Sequence, residues 1–366
     1  MSQYSKFIKV FYGCAATYLL SVFTVNFIVD PYGIHTGGGR VNNDRLVKAY
    51  RVLQIEPRTV FLGASGVARG LDPDYISSIS HTPIYNLSIL GANSYELKHF
   101  FQYTNRHVED LERVIVELNF FAFNRNNTVE SGFSSERLNS LHPILNDFFG
   151  IYLSLDSLNL VLNPEERGVY FAEDGTYEHE VELTRLRQFE TQLQTDFSKP
   201  AQMYWDYELS EEAIANFRTK VETSHTEGID VRTFISPIHV TQFYPSRVEN
   251  YWSTYERWVR GVVNIHPVWD FSGCNSITTE PIKDAMEYYD DPSHYTYTTG
   301  NLVLNRMFNH QIDTVPENFG VYVTPENVDE HLQRVRAQCQ QWASENPEVV
   351  AWLGSLDLRT VHSKVE

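Results

Sequence analysis

The sequence predicts an α/β protein: a doubly wound parallel sheet of about five strands, with a mostly helical insertion and an N-terminal transmembrane helix. Three observations predict it. Short apolar runs are each closed by turn residues, helix-length stretches separate them, and one long run near the N-terminus lacks any charge. Strands that are continuously apolar, rather than alternating, and that alternate with helices belong to a sheet covered on both faces.

The N-terminal run comes first. Lys6 and Lys9 precede Val10–Val29, twenty residues without a charge. At about 1.5 Å per helical residue this spans roughly 30 Å, the thickness of a bilayer's hydrocarbon core. The two lysines place the N-terminus in the cytoplasm and the remainder outside, as in a single-pass protein of the cytoplasmic (inner) membrane with an extracytoplasmic domain. Two alternatives stay open. A cleaved signal peptide should end in a small-x-small site, which does not follow this run. A buried core helix would suit the diluting Thr17, Ser21, Thr24 and Asn26.

Gly37-Gly38-Gly39 marks a flexible exit. Strand candidates follow at Thr59–Leu62, Pro83–Leu87, Arg113–Leu118, Val231–Ile235 and Val268–Phe271, with helix-length stretches such as Tyr95–Val108 between the first three. From about Phe120 to Ser210 the pattern breaks, and the intermittent 3.6-residue period reads as a mostly helical insertion or lid. Thr324-Pro325 supplies an N-cap and a first-turn proline. Val328, Leu332, Val335, Cys339 and Trp342 then recur at helical spacing. The chain so divides into an anchor (1–30), a linker and first helix (31–57), a body (58–310, insertion at about 120–210) and a C-terminal helical extension (311–366).

A formal charge of −18 excludes a nucleic-acid surface, which needs a basic footprint. Cys14, Cys274 and Cys339 have no metal-ligand spacing, so no structural zinc is expected; Cys274 and Cys339 could pair in an oxidising compartment, but read rather as two separate free thiols. No cofactor motif is present.

Gly63-Ala64-Ser65-Gly66 falls where the first body strand ends and a helix should begin. A serine there has an exposed hydroxyl beside helix N-terminal amides that can face an oxyanion. Read alone, a serine after a glycine is more often simply a helix cap. Asp291-Pro292-Ser293-His294 follows the last strand candidate. An aspartate three residues before a histidine can fix the imidazole tautomer and stabilise the imidazolium. Together these residues give a candidate Ser65–His294–Asp291 triad.

The combination resembles the SGNH/GDSL hydrolase superfamily over roughly residues 58–310. The four ordered elements are Ser65, Gly91 after the second strand, Asn119 after the third, and the Asp291/His294 pair. The resemblance implies that Ser65 is the nucleophile, His294 the general base and then acid, and Asp291 its orienter. It implies an oxyanion hole made by the Ser65 and Gly91 amides and the Asn119 side chain. The family's Gly-Asp-Ser is Gly63-Ala64-Ser65 here, and its Gly-x-Asn-Asp is Glu117-Leu118-Asn119-Phe120. A narrower likeness lies in the anchor, Asp30-Pro31-Tyr32-Gly33, Gly63-Ala64-Ser65 and the Asp291–His294 motif. These look like the SGNH-like proteins that accompany membrane-bound O-acyltransferases. That likeness implies O-acetylation or deacetylation of an exported polysaccharide, with such an acyltransferase as partner.

His239 and Tyr295 are candidate substrate-binding residues: His239, just past the fourth strand, could line the cleft or equally serve a structural role, and Tyr295, beside His294, suits stacking on a sugar ring. Glu178-His179-Glu180 alternates polar groups and reads as a solvated face rather than a metal site. Two other functions fit the same residues: a general esterase, and a non-catalytic domain that binds glycan or supports a membrane complex.

Overall fold

The computed structural model describes residues 3–35, 39–40, 44–80, 82–129, 132–141, 143–163, 170–172, 174–178, 183–198, 203–249, 251–356 and 358. Helix α1 (Gln3–Val29) leads to strand β1 (Gly39–Arg40) and helix α2 (Asp44–Ile55). Strand β2 (Thr59–Leu62), helices α3 (Ser65–Gly70) and α4 (Pro73–Ser80), β3 (Ile84–Asn86), α5 (Ser94–His107) and β4 (Arg113–Leu118) follow. The insertion holds α6 (Ser135–Asn139), α7 (Pro143–Tyr152), α8 (Leu155–Leu162), the hairpin β5 (Tyr170–Phe171) and β6 (Tyr177–Glu178), and α9 (Arg185–Ser198). The body resumes with α10 (Glu211–Glu227), β7 (Asp230–Ile235), α11 (Val240–Phe243), α12 (Trp252–Val263), β8 (Val268–Asp270) and α13 (Tyr297–Phe308). Strand β9 (Val321–Val323), α14 (Val328–Glu345) and α15 (Pro347–Ser355) end it.

The main sheet has six strands in the order β3-β2-β4-β7-β8-β9. The first five are parallel, at the five predicted places, and β9 pairs antiparallel with β8. That edge strand was not expected, because Val321–Val323 is too short to stand out as an apolar run. The C-terminal extension therefore contributes to the sheet as well as covering it. Its helix begins at Val328, later than the Thr324-Pro325 signal, because residues 325–327 form a turn closed by Asn327 accepting the Thr324 N–H.

Successive strand residues point to opposite faces, and both faces are buried. Val60, Leu62, Val114 and Val116 pack on one side, with Leu97, Phe100 and Phe217. Phe61, Ile115 and Phe234 pack on the other, with Val67, Leu71, Val303 and Leu304. Helix α5 starts where it does because Asn93 and Glu96 form a reciprocal capping box. The insertion is mostly helical, as expected, but also carries the small β5–β6 hairpin, which pairs with β1.

Helix α1 is long and apolar enough to cross a membrane. A core helix of this body would be covered, whereas only Val22 and Asn26 of α1 are buried. Gly37 and Gly38 lie outside the described residues. Cys274 and Cys339 are joined in a disulfide, not free as their sequence separation suggested. The turn after β8 carries Cys274 up to Cys339 on α14, a meeting that depends on how α14 docks. Cys14 is free and exposed.

Candidate active site

The sheet order reverses between β2 and β4, and it is at the carboxyl ends of the strands beside such a reversal that open parallel sheets bind ligands. Ser65 follows β2 directly and is the first residue of α3, so its amide has no intrahelical acceptor. The turn that presents it is held from below by Glu117 of β4. One Glu117 oxygen accepts the Ala64 N–H at 2.6 Å and the other accepts the Ser236 hydroxyl. A Cβ at Gly63 would stand 2.6 Å from that carboxylate, so only glycine lets the turn close over it. Gly70 serves a similar purpose: a Cβ there would meet the Tyr295 ring at 2.2 Å. Burial pushes the Glu117 carboxyl above its ordinary pKa, opposed by the Ala64 amide, Ser236 and the Asn119 side chain.

Asp291 and His294 sit in the turn before α13. The Asp291 carboxylate accepts the Ser293 N–H at 2.8 Å and the His294 N–H at 3.0 Å, which ties the turn into one shape. His294 Nδ1 lies 2.8 and 2.7 Å from the two Asp291 oxygens, and Nε2 lies 2.8 Å from Ser65 Oγ. A carboxylate only accepts, so Nδ1 carries the proton and Nε2 is free to accept from the serine. All three side chains are buried to within a tenth of their surface: Ser65 is 9%, Asp291 6% and His294 4% exposed.

Arg69, one turn along α3 from Ser65, places its guanidinium 3.6 Å from Asp291 and 4.8 Å from the centre of the Tyr177 ring. Burial lowers the His294 pKa, and the Arg69 charge lowers it further, against the pull of Asp291. For Asp291, burial acts upward, yet His294, Arg69 and the Ser293 amide hold the carboxyl below its ordinary range. A second acid stands behind the turn. Asp196 of α9, fully buried, accepts from Ser293 Oγ at 2.8 Å and from Gln242 at 2.6 Å. Burial pushes Asp196 up to about 7.

The remaining sequence candidates divide. Gly91 occupies a left-handed turn at φ 65° after β3, on a segment whose Ile89 N–H donates to Gly63 O at 3.0 Å. Asn119 shares a small chamber with Ala64, Ser94, Glu117 and Lys220, and its Oδ1 has no hydrogen-bond partner. His239 is no substrate ligand in this structure. It is 1% exposed, its Nδ1 accepts from Thr241, and its Nε2 donates to Glu280 O at 2.8 Å. It caps α11, and burial lowers it to about 4, so it stays neutral. Tyr295 is likewise withdrawn from the substrate-binding set: its ring is fully buried against Gly66 and Gly70. Both corrections have one cause, since closeness in sequence to the site does not say which way a side chain turns. His179 and Glu180 lie outside the described residues. Asp72, Asp74 and Asp174 bring carboxylate oxygens within 4.8 Å of one another and are the acidic group that could hold a cation among the described residues.

Sequence reasoning missed Arg69, Glu117 and Asp196. Arg69 lies four residues after Ser65, a spacing that puts it on the same helix face. Glu117 is the one acid in β4 and is flanked by Val116 and Leu118 in an apolar run, which itself signals a buried role. Asp196 carries no such mark. A scan of protein-family models finds none that matches the chain, and no characterised protein matches it in sequence.

Proposed function

We propose that the chain is an SGNH-like, serine-dependent acyl-transfer enzyme, acting on the outer side of the membrane that α1 crosses. The observation that carries this reading is the unbroken path from Ser65 Oγ through His294 to Asp291, 2.8 Å and then 2.7 Å, at the carboxyl edge of the sheet. In the proposed reaction Ser65 Oγ attacks an acyl carbon while its proton passes to His294 Nε2. The Ser65 and Gly91 amides, with Asn119, face the resulting oxyanion. His294 then protonates the leaving alkoxide, and an acyl-Ser65 ester remains. Water or a sugar hydroxyl then attacks that ester while His294 takes its proton; the bond from the acyl carbon to Ser65 Oγ breaks, and His294 returns the proton to Ser65 Oγ. The Cys274–Cys339 disulfide supports an oxidising compartment, and with α1 it favours an exported polysaccharide over a cytosolic ester. O-acetylation or deacetylation of such a glycan, with a membrane-bound acyltransferase delivering acyl groups, is the specific form proposed.

A non-catalytic glycan-binding role draws on one observation, that Asn119 is engaged with Glu117. A serine-directed fluorophosphonate separates the two readings. Labelling of the full chain, abolished in Ser65→Ala and His294→Ala, supports a live nucleophile, and no labelling of the wild type leaves the binding role. An activated acetyl ester, supplied with and without candidate glycans, then divides transfer from plain hydrolysis: transfer diverts acetate onto the glycan.

A further inference from the structure

Helices α7 and α8 do not cover the sheet; they pack on the last turns of α1. The Asn26 side chain, fully buried, donates to Tyr152 O at 3.0 Å and Ser154 O at 3.1 Å, at the elbow between the two helices. Phe23 meets Phe148 and Tyr152 with ring centres 5.8 Å apart, and Phe27 meets Tyr152 at 5.7 Å. This contact leaves apolar side chains uncovered: Phe149 is 70%, Leu155 59% and Leu162 69% exposed.

Depth along α1 decides what covers them. Asn26 precedes Asp30 by four residues, or about 6 Å of helix, so the elbow lies below the level where the uncharged run ends. Interfacial helices sink their apolar side about 5–10 Å into the boundary between headgroups and acyl chains, the same depth. The acid that would oppose this in α7, Asp147, is turned inward and held by Arg137 and by the Tyr50 hydroxyl at 2.6 Å, whereas Asp156, in the first turn of α8, is exposed and its carboxylate has to keep to the headgroup layer. Neither α7 nor α8 contains a lysine or arginine. Attraction to anionic lipid therefore plays no part, and apolar contact alone does.

Resting on the reading of α1 as a membrane helix, we infer that the α7–α8 hairpin inserts into the outer leaflet beside it, a second attachment made to lipid. One helix leaves a tethered body free to swivel. Two attachments fix which way the sheet edge that carries Ser65 faces.

The test uses the full chain with Cys14→Ser, in nanodiscs of zwitterionic phosphatidylcholine alone. Nitroxide labels are placed singly at Phe149→Cys, Leu155→Cys and Leu162→Cys, with Leu19→Cys in α1 and Lys283→Cys on the exposed body as references. Collision with dissolved oxygen and with a water-soluble nickel chelate is measured for each. The inference expects the three hairpin labels to lose nickel accessibility several-fold relative to Lys283→Cys and to gain oxygen accessibility, as Leu19→Cys does. Hairpin labels that behave like Lys283→Cys while Leu19→Cys stays shielded overturn the inference and leave the anchor standing. Nickel access at Leu19→Cys overturns both. Hairpin labels shielded only in native membranes, and open in lipid alone, assign the surface to a membrane protein and overturn the lipid assignment.

Discussion

Arg69 and His294 compete for one carboxylate. A base that must be neutral to work gains from a neighbouring cation, because the cation disfavours the imidazolium before substrate arrives. Burial and Arg69 together lower the His294 pKa, so its competent form persists to lower pH than an ordinary histidine allows. Arg69→Gln should raise that pKa and move the acid limb of the fluorophosphonate labelling rate to higher pH, with a smaller effect on the high-pH plateau. Arg69→Lys should restore most of the wild-type profile. An unmoved acid limb in Arg69→Gln would show that the arginine only packs against Tyr177. Beneath the proposed nucleophile, Glu117→Gln keeps the shape but gives up the acceptance of either the Ala64 N–H or the Ser236 hydroxyl, since an amide offers one acceptor oxygen. A loss of labelling rate of about tenfold or more is expected, equivalent to the ~1.4 kcal/mol of one weakened hydrogen bond. The melting temperature should fall only modestly.

At the scale of elements, the insertion is part of the site, because α9 clasps the Asp291–His294 turn through Asp196. The sign of its pH effect follows from its pKa, raised from 3.8 to about 7. Across that window the folded chain holds a proton that the unfolded chain has released, so this group's contribution to stability falls as pH rises. Asp196→Asn should remove that fall, and the urea midpoint at pH 8 should come closer to that at pH 5 than in the wild type. An unchanged difference between the two midpoints would mean that Asp196 does not titrate there. Asp196→Ala instead strands the Ser293 hydroxyl without its acceptor, while Gln242 keeps its bond to Ser293 Oγ, and should slow labelling as well, since Ser293 sits inside the turn that orients His294.

For the whole molecule, the disulfide closes a loop of 65 residues between the edge of the sheet and α14. Constraint of the unfolded chain by a loop of that length is worth up to about 4 kcal/mol. Cys274→Ser with Cys339→Ser should lower the melting temperature, and reductant should lower that of the wild type but leave the double variant unmoved. A wild type indifferent to reductant would place the two thiols apart. The same bond bears on topology: the domain should be oxidised in cells when exported, and a C-terminal fusion should be active with a periplasmic reporter and silent with a cytoplasmic one.

Read by itself, the sequence determined what short-range pattern can encode. The five parallel strands, the uncharged run within α1 and the Asp291–His294 turn each depend on residues close together in the chain, through apolar period, run length and a spacing of three. Ser65 was legible because it stands in the turn from a strand to a helix. Which partners meet across the chain was decided by the tertiary structure alone. Ser65 and His294 are 229 residues apart, Glu117 and Ser236 are 119 apart, and Asp196 and Ser293 are 97 apart. Such pairs form only when helices dock on the sheet at particular places, and no local pattern specifies docking. The same holds for side-chain direction, which turned His239 and Tyr295 inward, and for the meeting of Cys274 with Cys339. Apolar period selects the elements because burial is non-directional. Hydrogen bonds and disulfides are directional, so they follow only from the packed geometry.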